Sequence, residues 1–321
     1  MQINDLLKLS EDKLTILSIN DRSIKNIEIP NNITDIGDRA FRDCSSLQSI
    51  NIPNSIIRIG YGAFSGCSSL QDIDIPYSVT HIGEFAFLGC SSLQSINVSY
   101  NNNFYKSVDG ILYDKKLETI IRFPPKHKNT IFTIPNSVIR IGKGAFSGCS
   151  SLQNIDIPNS VIHIGDSAFY GCSSLQDIDI PNSVTHIGKG AFLECSSLQD
   201  IDIPNSVTHI GQYAFYYCSS LQSIDIPNSV THIGYQAFYN CSSLLNINIP
   251  KSVTYIGSLA FDGLKNIFIR CDEPEKIDVA EMAFCVDLDE CVLHIPCGTR
   301  WAYKHHPTFS RFKNIVADIF D

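Results

Sequence analysis

Twelve cysteines, nine histidines and a large set of aspartates are the side chains of this 321-residue chain with chemistry to offer. They fall into columns of one recurring pattern. Cys44, Cys67, Cys90, Cys149, Cys172, Cys195, Cys218 and Cys241 share one position, and His81, His163, His186, His209 and His232 share another with Asp35, Arg58, Arg140 and Tyr255. Asn51, Asp74, Asn97, Asp156, Asp179, Asp202, Asp225 and Asn248 form a third, next to Ser49, Asp72, Ser95, Asn154, Asp177, Asp200, Ser223 and Asn246. Thiols, imidazoles, hydroxyls and carboxylates are the parts of metal sites and of nucleophile–base–acid sets. Here every unit would supply the same set, and repetition of that kind indicates structure. The Gly60-Tyr-Gly62 copies lack GxGxxG spacing, and no GxSxG, P-loop or HExxH is present. Neither catalysis nor a cofactor is expected.

The columns exist because the chain repeats. Read from proline, the unit is IPNSVTHIGxxAFxxCSSLQxID, with prolines at 30, 53 and 76 and again at 135, 158, 181, 204, 227 and 250. A fixed period of 23 residues lies in the range of a leucine-rich repeat. In each unit Ile178 and Ile180 alternate with polar residues as in a strand that Pro181 closes. Val184 and Ile187 give a second inward pair, and Gly188 is expected to permit a positive φ or a tight bend. Ala191 and Phe192 point inward, and Cys195 leads to the next strand. One coil cannot enclose its apolar side chains, so burial must come from stacking at roughly 4.8 Å per coil. The expected fold is a leucine-rich-repeat solenoid, a curved right-handed superhelix of 23-residue coils. It is mostly β, with a parallel sheet on one face and short helical or irregular connections.

The period marks the boundaries. Residues 1–29 read as a degenerate repeat and cap, 30–98 and 135–272 as repeats, and 273–321 as a C-terminal cap, partly helical over Trp301–Tyr303 and Phe309–Ile319. Residues 99–134 break the phase. Their Ser107–Tyr113 and Leu117–Pro124 segments, around a turn at 114–116, predict an extended coil with a β-hairpin protruding from the stack.

In a stack, fixed columns serve the fold and variable ones are free to discriminate. The cysteine ladder reads as buried free thiols, because parallel Cβ vectors and a regular stack oppose disulfides. Cys271, Cys285, Cys291 and Cys297 leave a cap disulfide, a structural thiol set or, with His294, zinc open, although no CxxC knuckle is present. The histidine column tolerates Asp, Arg and Tyr, so it faces solvent, and joint protonation of its members would make the fold acid-sensitive. The exposed Asp156, Asp179, Asp202 and Asp225 form an acidic strip, which must stay solvated, meet a basic partner or take up Ca²⁺. The positions that vary gather Tyr170, Tyr213, Tyr216, Tyr217, Tyr235 and Tyr239 over neighbouring coils. Tyrosine offers a large amphipathic surface with few rotors to freeze, which suits an interface; the alternative is simple loop filling.

A net charge of -9 and a pI near 5.4, without a basic run longer than two, exclude a nucleic-acid backbone as partner. No stretch approaches the roughly 18 apolar residues of a membrane span. Met1–Ser10 has neither the basic nor the apolar region of a secretory leader.

The unit SVTHIGDSAFYGCSSLQDIDIPN resembles the BspA-type, or Treponema-type, leucine-rich repeat of bacterial surface antigens and some parasitic protists. SVDGILYDKK resembles an insertion that recurs in that family, and CVLHIPCGTRWAYKHHPTFSRFKNIV is similar to one of its C-terminal caps. The resemblance implies a non-enzymatic surface or secreted protein, expected to be monomeric, that binds protein partners among host matrix or other surface proteins. It brings no catalytic residues. An intracellular interaction scaffold, in keeping with the missing leader, and a carbohydrate- or Ca²⁺-binding surface protein are the other readings.

Overall fold

The structure is a computed structural model that describes residues 6–320. Residues 1–5, within the expected N-terminal cap, and residue 321 lie outside it. The chain divides into two compact units, Met1–Thr130 with Ser137–Ser151, and Ile131–Asn136 with Leu152–Asp321. Each is a β-solenoid of stacked 23-residue coils.

A coil of the second unit shows how the repeat works. Leu175, Ile178, Ile180, Val184, Ile187, Ala191, Phe192 and Cys195 are all buried, as the alternation and the turn spacing predict. Two segments of the coil pair with their neighbours as parallel strands. In the segment that ends at proline, Ile131–Thr133 pairs with Asn154–Asp156, and Asn246–Ile249 with Asn266–Ile269. Between them the ladder thins to single bridges, Asp179 to Asp202, Asp202 to Asp225 and Asp225 to Asn248, and in the first two aspartate lies beside aspartate. Like charges side by side repel, which opposes closer pairing there. The continuous sheet is formed by the second segment: His163–Ile164, His186–Ile187, His209–Ile210, His232–Ile233, Tyr255–Ile256 and Asp278–Val279 follow one another in parallel. Between the two, Val184 N–H closes a turn on the Pro181 carbonyl at 2.9 Å, and Ser183 Oγ donates to the Val161 carbonyl of the previous coil at 2.6 Å.

The third side of the coil is a pair of tight turns. Ala191 N–H closes Gly188-Lys189-Gly190-Ala191 on the Gly188 carbonyl at 3.2 Å, and Cys195 N–H closes Phe192-Leu193-Glu194-Cys195 on the Phe192 carbonyl at 3.1 Å. The alternate N–H groups of Gly190, Phe192 and Glu194 donate to the Gln212, Ala214 and Tyr216 carbonyls of the next coil at 2.8–2.9 Å. In both turns the third residue is left-handed, Gly190 at φ +59° and Glu194 at φ +60°. This places the positive φ away from Gly188, where the repeat pattern put it. Gly188 is needed for another reason: a Cβ there would lie 2.5 Å from the Asp166 backbone nitrogen of the neighbouring coil.

Equivalent side chains stack at the coil spacing. Phe169, Phe192, Phe215, Phe238 and Phe261 lie ring over ring, 5.3–5.5 Å between centroids and within 6° of parallel. The cysteine ladder is buried and free, and its thiols do more than fill space. Cys195, Cys218 and Cys241 Sγ donate to the carbonyls of Phe169, Phe192 and Phe215 at 3.1–3.2 Å, so each thiol satisfies an oxygen that faces the core.

The first unit uses the same coil. Phe41, Phe64 and Phe87 stack, and the Asp72–Ile75 strand pairs in full with Ser95–Val98, where Asp74 meets Asn97. The out-of-phase segment is folded into the stack instead of protruding. Tyr105–Val108, Ile111–Asp114 and Thr119–Arg122 form a three-stranded antiparallel meander, and Thr119–Arg122 then pairs in parallel with Arg140–Ile141. Its first hairpin turns at Asp109-Gly110, both with positive φ, which is the short Asp-Gly turn that suits strand twist. Ile111, Leu112, Tyr113 and Ile120 are buried, which is why the segment stays in the stack. Asn102 ties it down: Nδ2 donates to the Pro76 and Val79 carbonyls, and Oδ1 accepts from Phe104 and Tyr105 N–H, all at 2.8–2.9 Å.

At the C-terminal end of the second unit, Arg300–His305 is the expected short helix, whereas most of Phe309–Ile319 is not helical. After a 3-10 turn at Phe309–Arg311, Asn314–Ile319 pairs in parallel with Val292–Pro296. The alternation of Ile315 and Ile319 with exposed residues fits a strand, and both are buried.

Replacing Phe192 with alanine removes a ring buried between Phe169 and Phe215. The expected loss is about 3 to 5 kcal/mol, read as a fall in the urea midpoint; an unchanged midpoint would contradict the inward packing.

Candidate functional site

The two turns of each coil carry the residues that differ from copy to copy, and the six tyrosines lie on them. Tyr170, Tyr216 and Tyr239 follow the Ala-Phe pair, Tyr213 and Tyr217 fill the third turn positions, and Tyr235 follows Gly234. Five of them form one continuous group. Tyr216 stacks on Tyr239 at 5.6 Å and leans against Tyr217 at 4.7 Å. Tyr213 meets Tyr216 edge-on at 5.7 Å and Tyr235 at 5.2 Å. All are half-buried by one another, apart from Tyr217, which is exposed. Tyr170 lies farther along the ribbon, where burial first and the Glu194 carboxylate second raise its pKa. The Asp262 carboxylate is the main cause of a raised Tyr239 pKa, and partial desolvation of a raised Tyr216 pKa, so these two hydroxyls stay neutral.

Charges border the rings. Lys189 Nζ lies 5.4 Å from the Tyr213 ring centre, a cation–π geometry, and Glu194 and Asp262 are on either side. The repeat pattern singled out the tyrosines but missed Lys189, Glu194 and Asp262. The signal was available: Gly66, Gly89, Gly148, Gly171 and Gly263 occupy the turn position where Glu194 and Tyr217 stand. The first unit has a smaller counterpart, where the Arg39 guanidinium lies 5.3 Å from the Tyr61 ring centre and Tyr61 meets Phe85 edge-on.

Asp156, Asp179, Asp202 and Asp225 are exposed on the proline-ending strands, a different segment of the coil from the tyrosines. Asp202 and Asp225 line a shallow cleft of about 450 Å³ with Asn205, Asn228, Asn248 and Arg270. Arg270 Nε donates to Asn248 Oδ1 at 2.9 Å, placing one cation at the end of the strip. Among the described residues, no three His, Cys, Asp or Glu side chains converge on a point where a metal ion would sit.

All twelve cysteines are free, Cys285 and Cys297 on the surface and the others buried. Desolvation pushes the Cys90, Cys149 and Cys241 thiols up to about 12, so these three offer no thiolate at neutral pH. The histidines line the outside of their sheet, with the His209 and His232 rings stacked at 4.5 Å. Thr208 and Thr231 hydroxyls lie 2.8 Å from the Nδ1 of the histidine that follows each, within hydrogen-bonding distance. A second feature went unread: His127, buried in the first unit, has Nε2 2.9 Å from the Asp109 carbonyl and Nδ1 accepting from Asn129 N–H at 3.2 Å. It fixes Lys126 and Lys128 beside a cleft of about 360 Å³ lined also by Asp72, Ser95 and Asn97.

The pattern that builds these surfaces is that of the BspA type leucine rich repeat region, which matches in six copies over residues 19–131, 122–244 and 208–293. The chain belongs to the BspA-type leucine-rich repeat family. Among solved structures of this repeat class, a leucine rich cell surface protein from Faecalibacterium prausnitzii A2-165 is 38% identical, with a TM-score of 0.66. The match covers 70% of this chain and 59% of that one, so the chain spans less than two thirds of its relative. A leucine-rich repeat protein from Eubacterium ventriosum is 24% identical over 77% of this chain and 87% of its own, with a TM-score of 0.56. The pneumococcal vaccine antigen PcpA, 20% identical over 93% of this chain and 69% of its own, shares the fold with a TM-score of 0.67. No sequence among the curated proteins matches significantly. Among the described residues, no helix is long and apolar enough to cross a membrane.

Desolvation, followed by the neighbouring His232 and His186, holds the His209 imidazole of this BspA-type stack below the ordinary histidine range. The folded state thus favours the neutral ring. Its contribution is complete above the unfolded value of about 6.5 and is lost as the pH falls below it. The melting temperature should drop between about pH 7.5 and about pH 5, and His209→Gln should make that drop smaller. An equal drop in both proteins would remove His209 from the account.

Proposed function

We propose that this chain is a protein-recognition array that works at a cell surface or in the secreted space and reads its partner through the tyrosine ribbon of the second unit. One observation carries the reading: Tyr213, Tyr216, Tyr217, Tyr235 and Tyr239 form a connected, partly exposed aromatic group at positions the stack does not fix. Side chains whose type the coil requires are buried or bonded to the next coil. These rings are spared both duties, and their contact area is partly ordered by ring–ring packing before any partner arrives, which lowers the entropy lost on binding. The extracellular setting is supported by the 38% identity to a leucine rich cell surface protein. Adhesion to other surface or matrix proteins is the activity that suits such an array.

The test uses the whole chain. Tyr213→Ser, Tyr216→Ser and Tyr239→Ser together should abolish capture of protein partners from surface and secreted fractions, with a melting temperature within a few degrees of the parent. Capture that survives the triple substitution at full strength would assign recognition to another face.

A further inference from the structure

We propose that the tyrosine ribbon takes a basic, arginine- or lysine-rich segment of its partner, with cationic heads seated between the rings of Tyr213, Tyr216 and Tyr217 and the carboxylates of Glu194 and Asp262. This rests on the reading that the tyrosine face is where a protein docks, and it adds which chemistry docks there.

Charge gives the first argument. Along the variable turns of the second unit the ionised side chains are Asp166, Lys189, Glu194, Asp262 and Glu281, so carboxylates outnumber the single cation. The complement of an aromatic surface bordered by carboxylates is a flat or compact cation that can lie on a ring and pair with a carboxylate, which describes guanidinium and ammonium groups. The fold itself already makes this pairing twice. Lys189 Nζ sits 5.4 Å from the Tyr213 ring centre, and in the first unit Arg39 Cζ sits 5.3 Å from that of Tyr61. Residues on these turns therefore present tyrosine faces to cations without distortion.

Backbone conformation gives the second, independent argument. In the coils from Ser167 to Gly263 the third residue of each turn is left-handed, and the turns are built as well by glycine, as at Gly190, Gly171 and Gly263 with φ of +59°, +69° and +67°. In the tyrosine region the residue is instead a type that resists this conformation at Glu194 (φ +60°), Tyr213 (+58°), Tyr217 (+61°) and Gln236 (+51°), as it also is at Ser167 and Leu259 in the coils on either side. Their backbone gains nothing from a side chain there. Tyr213 Cβ and Tyr217 Cβ are tolerated at a cost to folding, and the side chains so retained include two rings and a carboxylate, the groups a cationic segment would use. Asn240, at φ +58°, is of a type that accepts this conformation and needs no such explanation.

The probe is a short labelled peptide alternating arginine and serine, compared with glutamate–serine and glycine–serine peptides of the same length by fluorescence anisotropy against the full chain. The arginine peptide alone should bind, and raising salt from about 50 to about 300 mM should weaken it. Tyr217→Gly and Glu194→Gly should each melt no lower than the parent and bind about tenfold more weakly. Glu194→Gln with Asp262→Asn should weaken binding similarly and flatten the salt dependence. Equal binding of all three peptides, or unchanged affinity in Tyr217→Gly, would overturn the proposal. So would loss of binding on replacing Asp179, Asp202 and Asp225 with asparagine in place of loss at the tyrosines, since the peptide would then sit on the strand face. A captured partner that needs Tyr216 and Tyr239 but is indifferent to salt, Glu194 and Asp262 would overturn the basic segment and leave the tyrosine face standing; a glycan would behave in that way.

Discussion

The backbones of successive coils are held at hydrogen-bonding distance, and almost everything else in this protein is a consequence of that spacing. Two strand segments and a pair of turns in each coil donate to the next, as Gly190, Phe192 and Glu194 N–H do to Gln212, Ala214 and Tyr216. The separation leaves no room for a side chain at Gly188, Gly234 or Gly257, where a Cβ would fall 2.5–2.6 Å from a neighbouring backbone nitrogen. It also sets every column at ring-stacking distance. Phenylalanines profit, because parallel rings about 5.4 Å apart fill the interior without voids. Thiols profit as well, since each reaches a carbonyl of the coil below. Like charges do not, and aspartate stacked on aspartate is held by single bridges alone, Asp179 to Asp202 and Asp202 to Asp225.

The repeat made most of this readable in advance. Proline, isoleucine, Ala-Phe and cysteine recur at constant intervals, and a side chain that recurs in that way in a stack must face its own copies. What the period does not encode is the conformation within a coil. Gly188 looked like the bend because it recurs without exception, yet its invariance comes from a close approach between coils. The bends lie at positions that change residue, Gly190 becoming Tyr213 and then Gln236. A column that mixes glycine with large side chains reads as unconstrained on the page, whereas its backbone is the most tightly specified of all.

The inserted segment was hidden for a related reason. Its length promised a protrusion, but Ile111, Leu112, Tyr113, Ile120 and Phe123 are apolar in the places a coil would make apolar, and burial decides the matter. Asp109-Gly110 is a strong hairpin signal that was passed over in favour of the lysine turn that follows. Asn102 is polar and wholly buried, a combination that sequence alone reads as a loop residue; here four hydrogen bonds make it the pin that seats the meander. The C-terminal strand Asn314–Ile319 was misjudged because its alternation spans too few residues to separate it from a helix.

Where recognition can reside in such a stack follows from the same constraint. A column that carries the same residue in successive coils presents a uniform strip, and a uniform strip has little register: a partner bound over Asp177 and Asp179 would meet the same pair one coil on, at Asp200 and Asp202. The tyrosine ribbon breaks the translation symmetry. Only one coil combines Tyr213, Tyr216 and Tyr217, only one neighbour offers Tyr235 and Tyr239, and Glu194 and Asp262 mark the two ends. Specificity is a difference in free energy between placements of the same ligand, and a column keeps that difference small wherever its residue repeats. The irregular turns are thus the places where this fold can distinguish one docking position from the next, and there the chain has placed Glu194, Tyr213 and Tyr217 on a backbone better suited to glycine.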